Sequence, residues 1–211
     1  MNLCKICKIR RPRRRCPGVD GDICSLCCGT EREVTVSCPL ECEYLREARL
    51  HEKPNDLPNE YPNKDVRITD DFLSTHEGLL TILSISLANA CASKPEMIDY
   101  DVREGLEALI QTYRTLESGL IYETKPANPL AAYLSSDLQQ TVKDFNERMQ
   151  AAEMPAIRDT VVLGVLVFLQ RLELTRANGR PRGRAFLGAM QDFYAVAPES
   201  EPAPSSSLIL P

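Results

Sequence analysis

Eight of the nine cysteines lie within the first 42 residues, at spacings typical of metal ligands. A short C-x2-C or C-x3-C turn points two thiolates at one ion. Such pairs are Cys4 with Cys7, Cys24 with Cys27, and Cys38 with Cys42, and Cys16 and Cys28 complete the set. Four thiolates saturate one structural zinc ion, so these eight cysteines predict two zinc ions per chain.

The order of the cysteines allows more than one metal assignment. The preferred pairing places Cys4, Cys7, Cys24 and Cys27 around one zinc and leaves Cys16, Cys28, Cys38 and Cys42 for the other. A single zinc at the first four, with the others structural or unligated, is an alternative. Ligation of an iron–sulfur cluster is a third alternative, although pairs of short C-x2-C and C-x3-C turns in a small module favour zinc. Cys27 and Cys28 are adjacent in sequence, so they bind different metal ions unless one of them is not a ligand.

The interleaved order of these cysteines, from residue 4 to about residue 42, resembles the cross-brace of B-box, MYND and HIT-type zinc fingers. Those families mix cysteine with histidine, whereas the only histidine near this module is His51. The segment of residues 23–33 is also similar to one in bacterial proteins of unassigned function. The resemblance implies a module that binds a partner protein, because fingers of these classes mostly contact proteins.

The same residues argue against catalysis. A catalytic zinc keeps one position open for water or substrate, whereas an all-cysteine site is closed. The two histidines, His51 and His76, form no H-E-x-x-H motif, and the chain has neither a G-x-x-x-x-G-K-[ST] loop nor a G-x-S-x-G elbow. We therefore expect a protein without enzymatic activity.

A basic run follows the first cysteine pair. Residues 5–15 carry seven lysines and arginines and no acid, in a chain of formal charge −5. Arginine side chains bind phosphates well, so this run is a candidate nucleic-acid surface. A second arginine cluster near Arg176 extends that surface if the fold brings the two clusters together. These candidate nucleic-acid residues are Arg10, Arg11, Arg13, Arg14, Arg15, Arg180, Arg182 and Arg184. A second interpretation, slightly favoured, is that these arginines neutralise the negative charge of the zinc-bound thiolates. The third is that the run is an ordinary solvated loop.

Composition divides the chain into four parts. Residues 1–52 form the zinc module, 53–68 a proline-rich linker that should transmit little cooperativity, and 69–196 a helical bundle. Residues 197–211 are too polar and proline-rich to fold, which predicts a disordered tail. That tail ends in an apolar cluster, which is either a docking peptide or a random hydrophobic terminus. The cluster is Leu208, Ile209 and Leu210.

Beyond the linker, apolar spacing predicts five helices and no convincing strand. The helices should run from Thr69 past Cys91, from about Asp99 to Leu120, from Asn128 to about Ala152, from Asp159 to about Asn178, and from Arg182 to Ala195. The fold class is therefore mainly α, with a small cysteine-rich zinc module, an α-helical bundle and a disordered C-terminal tail. Cys91 falls in a helical apolar stripe and is expected to be a small core residue.

Two functions remain open at this stage. No apolar run approaches the roughly 20 residues that cross a bilayer, and the start lacks a secretory signal, so a cytoplasmic protein is expected. The leading hypothesis is a non-enzymatic adaptor whose finger and bundle bind a protein partner. The alternative is a DNA- or RNA-binding regulator that uses the basic run from Arg10 to Arg15.

Overall fold

In the computed structural model, which describes residues 3–52 and 61–194, the N-terminal module combines a β-hairpin with two short helices. Its elements are strands β1 (Arg14–Cys16) and β2 (Gly21–Ile23) and helices α1 (Ser25–Glu31) and α2 (Glu43–Leu50). The strands pair antiparallel, with Cys16 opposite Gly21. A 3-10 turn at Pro17–Val19 joins them, and Asp20 closes it with a left-handed backbone at φ 45°. The hairpin thereby sets Cys16 near α1.

Six helices form the bundle in the remainder of the described chain. They are α3 (Asp70–Thr75), α4 (Glu77–Ser93), α5 (Asp99–Glu117), α6 (Pro129–Ala151), α7 (Asp159–Arg176) and α8 (Ala185–Tyr194). Helix α7 packs against α4, α5 and α8 and buries residues on every side, as the apolar segment from Val161 to Leu172 predicts. The prediction of a mainly α fold is confirmed.

Local capping signals explain where the long helices begin. The Asn128 side chain accepts a hydrogen bond from the Leu130 N–H at 2.9 Å, and Pro129 takes the first helical position of α6. Both features match the start predicted from the sequence, because the missing N–H of a first-turn proline has no helical partner to lose. Helix α5 begins at Asp99 and α7 at Asp159, each within one residue of the predicted start, although Arg158 rather than Asp159 is the N-cap of α7.

The first helix predicted in the bundle is in fact two, α3 and α4, separated at His76. The Thr69 hydroxyl accepts the Phe72 N–H at 3.1 Å and so starts α3, and the backbone turns at His76 with φ −112° and ψ 23°. The Phe72 ring reaches α7 at Gly164, where any Cβ would collide with it. This contact between distant residues is absent from local spacing, so the periodicity alone predicted one continuous helix.

The described part of the predicted linker lies on the bundle. Asn63 donates to the Gln170 side chain at 2.8 Å, and Arg114 binds Asp65 through two contacts of 2.8 Å. Residues 53–60 are outside the described range. Residues 61–68 therefore belong to the packed structure, whereas the domain boundaries themselves stay a prediction.

The finger and the bundle are in direct contact. A Cβ on Gly188 in α8 would collide with the Arg49 guanidinium of α2 and lie 3.5 Å from the Leu40 side chain. Buried residues of both units also form one continuous hydrophobic cluster. The two units therefore touch each other directly, which the composition of the linker did not predict. How cooperatively they unfold stays a prediction.

None of the helices in residues 3–52 and 61–194 is both long enough and apolar enough to cross a membrane. The predicted tail, with its apolar cluster of Leu208, Ile209 and Leu210, lies outside the described residues.

Candidate metal centre

The first candidate centre is built by two tight turns of the N-terminal module. Cys4 and Cys7 share a turn closed by a 2.8 Å hydrogen bond from the Lys8 N–H to the Cys4 carbonyl, for which Lys8 adopts a left-handed φ of 53°. Cys24 is the N-cap of α1, and Cys27 lies in its first turn. The Cys24 sulfur accepts the Cys27 N–H at 3.4 Å, in the place of an ordinary capping oxygen.

The sulfur atoms of Cys4, Cys7, Cys24 and Cys27 lie within 4.8 Å of one another. A tetrahedral zinc with bonds of about 2.3 Å holds its sulfurs roughly 3.8 Å apart, so these thiols are near liganding distance. Cys7 is half-buried and the other three are buried. These four cysteines could hold a metal ion. No second group of three or more metal-binding side chains comes as close in the part of the chain that the structure describes.

Clustering separates the pKa values of these thiols. Burial opposes ionisation of Cys4, but hydrogen bonds from the backbone of Cys7, Cys24 and Ile6 outweigh it and lower the pKa of Cys4 to about 6. Burial, followed by the neighbouring sulfurs, raises the pKa of Cys27 to about 12. Four thiolates therefore do not coexist here near neutral pH unless a bound cation compensates their charge.

The remaining four cysteines of the module line one small cavity. Cys16 ends β1, Cys28 lies in α1, Cys38 lies in the α1–α2 connection, and Cys42 is the N-cap of α2. The cavity that they share has a volume of about 20 Å³, which is room for one water-sized occupant. Burial raises the pKa of Cys38, and negative charge on Glu33, Cys16 and Cys42 raises it further.

Two guanidinium groups face the sulfur of Cys28. Arg14 donates to it at 3.3 Å and Arg32 at 3.8 Å. The Arg14 guanidinium also lies over the Tyr44 ring, 4.4 Å from its centroid. Two positive charges are thus placed beside a cysteine that lines the cavity.

The basic run does not present a uniform face. Arg10 donates to the Cys24 sulfur, and that hydrogen bond raises the pKa of Arg10. Arg15 forms an exposed ion pair, whereas Arg11 and Arg13 are exposed. With the Arg14 contact already described, two of the five arginines therefore contact sulfur atoms.

The second arginine cluster is drawn into the contact between finger and bundle. Arg180 donates to the Arg32 carbonyl at 2.7 Å, and Arg182 donates to the Ser37 hydroxyl at 2.6 Å. Arg184 is buried. The fold does bring this cluster to the N-terminal module, but through contacts within the chain that occupy two guanidinium groups and bury a third.

Cys91 lies in α4, apart from the other cysteines. It is buried, as predicted for a core residue, and burial raises the pKa of its thiol. Its sulfur accepts a hydrogen bond from Arg184 at 3.2 Å. The position of Cys91 in an apolar helical stripe predicted its burial, but it did not predict the hydrogen bond from Arg184.

Glu33 is a central residue that sequence reasoning missed. It is 0% exposed, and its carboxylate accepts hydrogen bonds from Arg49 at 3.0 Å, from the Arg184 N–H at 3.0 Å and from Asn178 at 2.7 Å. Two of these partners lie 145 and 151 positions further along the chain. No local pattern predicts such contacts.

Three comparisons with known proteins found no match to this chain. No protein-family model, no curated protein and no solved structure matches it. The resemblance to cross-brace fingers therefore stays a prediction. What the fold and the site define is a mainly α protein with one four-cysteine cluster that could bind a metal.

Proposed function

We propose that this chain is a non-enzymatic, zinc-binding interaction protein, in which a metal-held module and a helical bundle together present a surface to a partner protein. The observation that carries this proposal is the cluster of four cysteine sulfurs within 4.8 Å. A four-thiolate site leaves no coordination position for water or substrate, which supports a structural role for the metal.

Zinc is the ion that we propose for the first centre. Four thiolates from two C-x2-C turns suit a tetrahedral, borderline-soft ion. An iron–sulfur cluster spreads its cysteines around several iron and sulfide atoms. Sulfur atoms within 4.8 Å of one another leave room for a single ion, which supports zinc over a cluster.

A second zinc ion is part of the same proposal. Its ligands are Cys16, Cys28, Cys38 and Cys42, which line the cavity of about 20 Å³. Their spacing, wider than that of the first centre, contracts in this proposal when the ion binds. A zinc with four thiolates carries a formal charge of about −2, and Arg14 and Arg32 lie where they offset part of it. The interleaved pairing that results resembles a cross-brace.

The proposal includes a reducing compartment, the cytoplasm, as the site of action. All nine cysteines are free thiols, and none is paired as a disulfide. Thiolate metal sites persist where thiols are kept reduced, which supports this location.

The rival function is a DNA- or RNA-binding regulator that uses the basic run. Its support is the exposure of Arg11 and Arg13, two neighbouring cations without an acid between them. The sulfur contacts of Arg10 and Arg14 count against it, since guanidiniums engaged with thiolates are less available to phosphates. The burial of Arg184 does the same for the second cluster.

Affinity purification from the native host with tagged full-length chain tests the proposal. We expect a protein partner that the parent and the Ser25→Ala control enrich and that Cys24→Ser loses, because Cys24 is a ligand and Ser25 is its exposed neighbour. Titration with a 20-mer of DNA or RNA at several salt concentrations tests the rival. Binding that weakens steeply with salt, together with no zinc-dependent protein partner, would favour the regulator.

A further inference from the structure

A large open cleft lies where the finger meets the bundle. One wall is α2, and the other is formed by α8 with the adjoining part of α4, around a volume of about 970 Å³. We call it the α2–α8 cleft. Because Cys42, a cysteine of the second proposed centre, is the N-cap of α2, one wall of the cleft depends on the folded finger.

The cleft combines an apolar surface with an open rim. Leu40 of the finger and Ala88 and Ala92 of α4 lie in its lining; Leu40 and Ala88 are buried, and Ala92 is exposed. Leu50, at the end of α2, lines the cleft and is 83% exposed, and Phe193, between the lining residues Asp192 and Tyr194 in sequence, is 73% exposed. Large aliphatic and aromatic side chains so exposed at a cleft are typical of surfaces that bind a protein.

The charges around the cleft select the type of occupant. Its acidic lining residues are Glu41, Glu43, Glu47 and Asp192. Two arginines also line it, but Arg49 binds the buried Glu33, which leaves Arg46 against four carboxylates. An apolar cleft with a net negative rim suits a cationic occupant with an apolar face, and it disfavours nucleic acid.

The chain's own C-terminal segment is the nearest alternative occupant. It continues from Tyr194, which lines the cleft. Residues 195–211 contain two glutamates, Glu199 and Glu201, and no lysine or arginine. Like charge therefore disfavours this segment, despite its apolar end, and favours an occupant from another protein.

We infer that the α2–α8 cleft is the partner-binding surface and that its occupant is a basic amphipathic helix of another protein. The helix places its apolar face on the exposed lining residues Leu50 and Ala92, and its lysines or arginines against the carboxylates of both walls. This inference rests on the proposed interaction function and names the partner's chemistry. It also links binding to the metal, because removal of zinc disorders the wall that α2 forms.

The test uses the full zinc-loaded chain and a fluorescent 18-residue peptide of lysine and leucine, with leucine at helical i, i+3, i+4 and i+7 positions. We expect Glu47→Lys with Asp192→Lys, one change on each wall, to weaken binding at least tenfold in anisotropy titrations. Glu117→Lys with Glu147→Lys is the matched control, since both sites are exposed helix positions outside the cleft, and it should stay within twofold. A peptide with glutamate in place of lysine should bind at least tenfold more weakly.

Localisation and a further variant keep the result unambiguous. Hydrogen exchange should slow in residues 40–50 and 188–194 on peptide binding, and Leu50→Ser, at a position too exposed to disturb folding, should weaken binding severalfold.

Equal effects of the two charge-reversal pairs, or protection elsewhere, would overturn the inference. So would tighter peptide binding after serine replaces Leu208, Ile209 and Leu210, because the chain's own segment would then be the occupant. If the host partner is lost with Cys24→Ser but kept with Glu47→Lys and Asp192→Lys, the interaction function stands and the cleft fails.

Discussion

Arg14 contacts both a sulfur and an aromatic ring. It donates to Cys28 at 3.3 Å, and its other face lies on Tyr44. Packing against the ring fixes the guanidinium where it faces the second set of cysteines. Arg13, one residue earlier, is exposed. Comparing variants at these two arginines therefore distinguishes compensation of thiolate charge, at Arg14, from a role on the exposed surface, at Arg13.

Replacing Arg14 by glutamine should lower the affinity for the second metal ion about tenfold, because groups that bond to metal ligands commonly contribute that much or more. Competition with a chromophoric chelator measures both binding steps. Arg13→Gln is the control and should change neither affinity. Equal effects of the two variants would show that Arg14 does not act through Cys28.

Asp99 is a buried carboxyl group that caps a helix remote in sequence. It begins α5, and its oxygens accept the N–H groups of Phe186 and Leu187 at the start of α8, each at 3.1 Å. Burial raises the pKa of Asp99 to about 7, in spite of these hydrogen bonds, and the charges of Glu173 and Glu33 act in the same direction. The folded protein therefore holds a proton here that the unfolded chain releases near pH 4.

This proton makes stability depend on pH. Between about pH 4 and pH 7 the folded state binds more protons than the unfolded state, so the free energy of unfolding falls as pH rises, by up to about 1.4 kcal/mol per unit, and levels off above pH 7. Asp99→Asn cannot titrate, so its urea unfolding profile from pH 5 to pH 8 should be flatter than that of the parent. Parallel profiles would contradict the shifted pKa.

At the scale of elements, the connection between α1 and α2 joins the finger to the bundle. Glu33 in this connection has a left-handed φ of 53°, and its carbonyl accepts the Arg182 N–H at 2.8 Å. Its carboxylate binds Arg49 of α2 and Asn178 of the α7–α8 connection. One buried side chain thus fixes the position of α2, and with it one wall of the α2–α8 cleft.

Glu33→Gln should lower the free energy of unfolding by about 2 to 4 kcal/mol, because it leaves Arg49 partly buried without its counter-charge. Urea unfolding followed by circular dichroism measures the loss. Glu31→Gln, two residues earlier and bonded only to nearby threonines, should cost less than about 1 kcal/mol. A similar loss in both variants would show that Glu33 does not hold the two units together.

At the scale of the whole molecule, periodicity and capping predicted the helical class and the starts of α5, α6 and α7. They did not predict the break at His76, beside which Phe72 of α3 contacts Gly164 of α7, a pairing that local spacing does not contain. Cysteine spacing grouped the four sulfurs that the structure brings within 4.8 Å, since turn geometry is local. Contacts such as Glu33 with Asn178 join residues 145 positions apart, and only the folded chain brings them together.

The zinc content of the purified full-length chain tests the central claim most directly. Elemental analysis should give two zinc ions per chain for the parent, because eight thiolates form two saturated sets. Cys24→Ser should retain no more than one, since it removes a ligand of the first centre. One zinc in the parent would confine the metal to Cys4, Cys7, Cys24 and Cys27. Iron with visible absorbance, or no metal at all, would contradict the account.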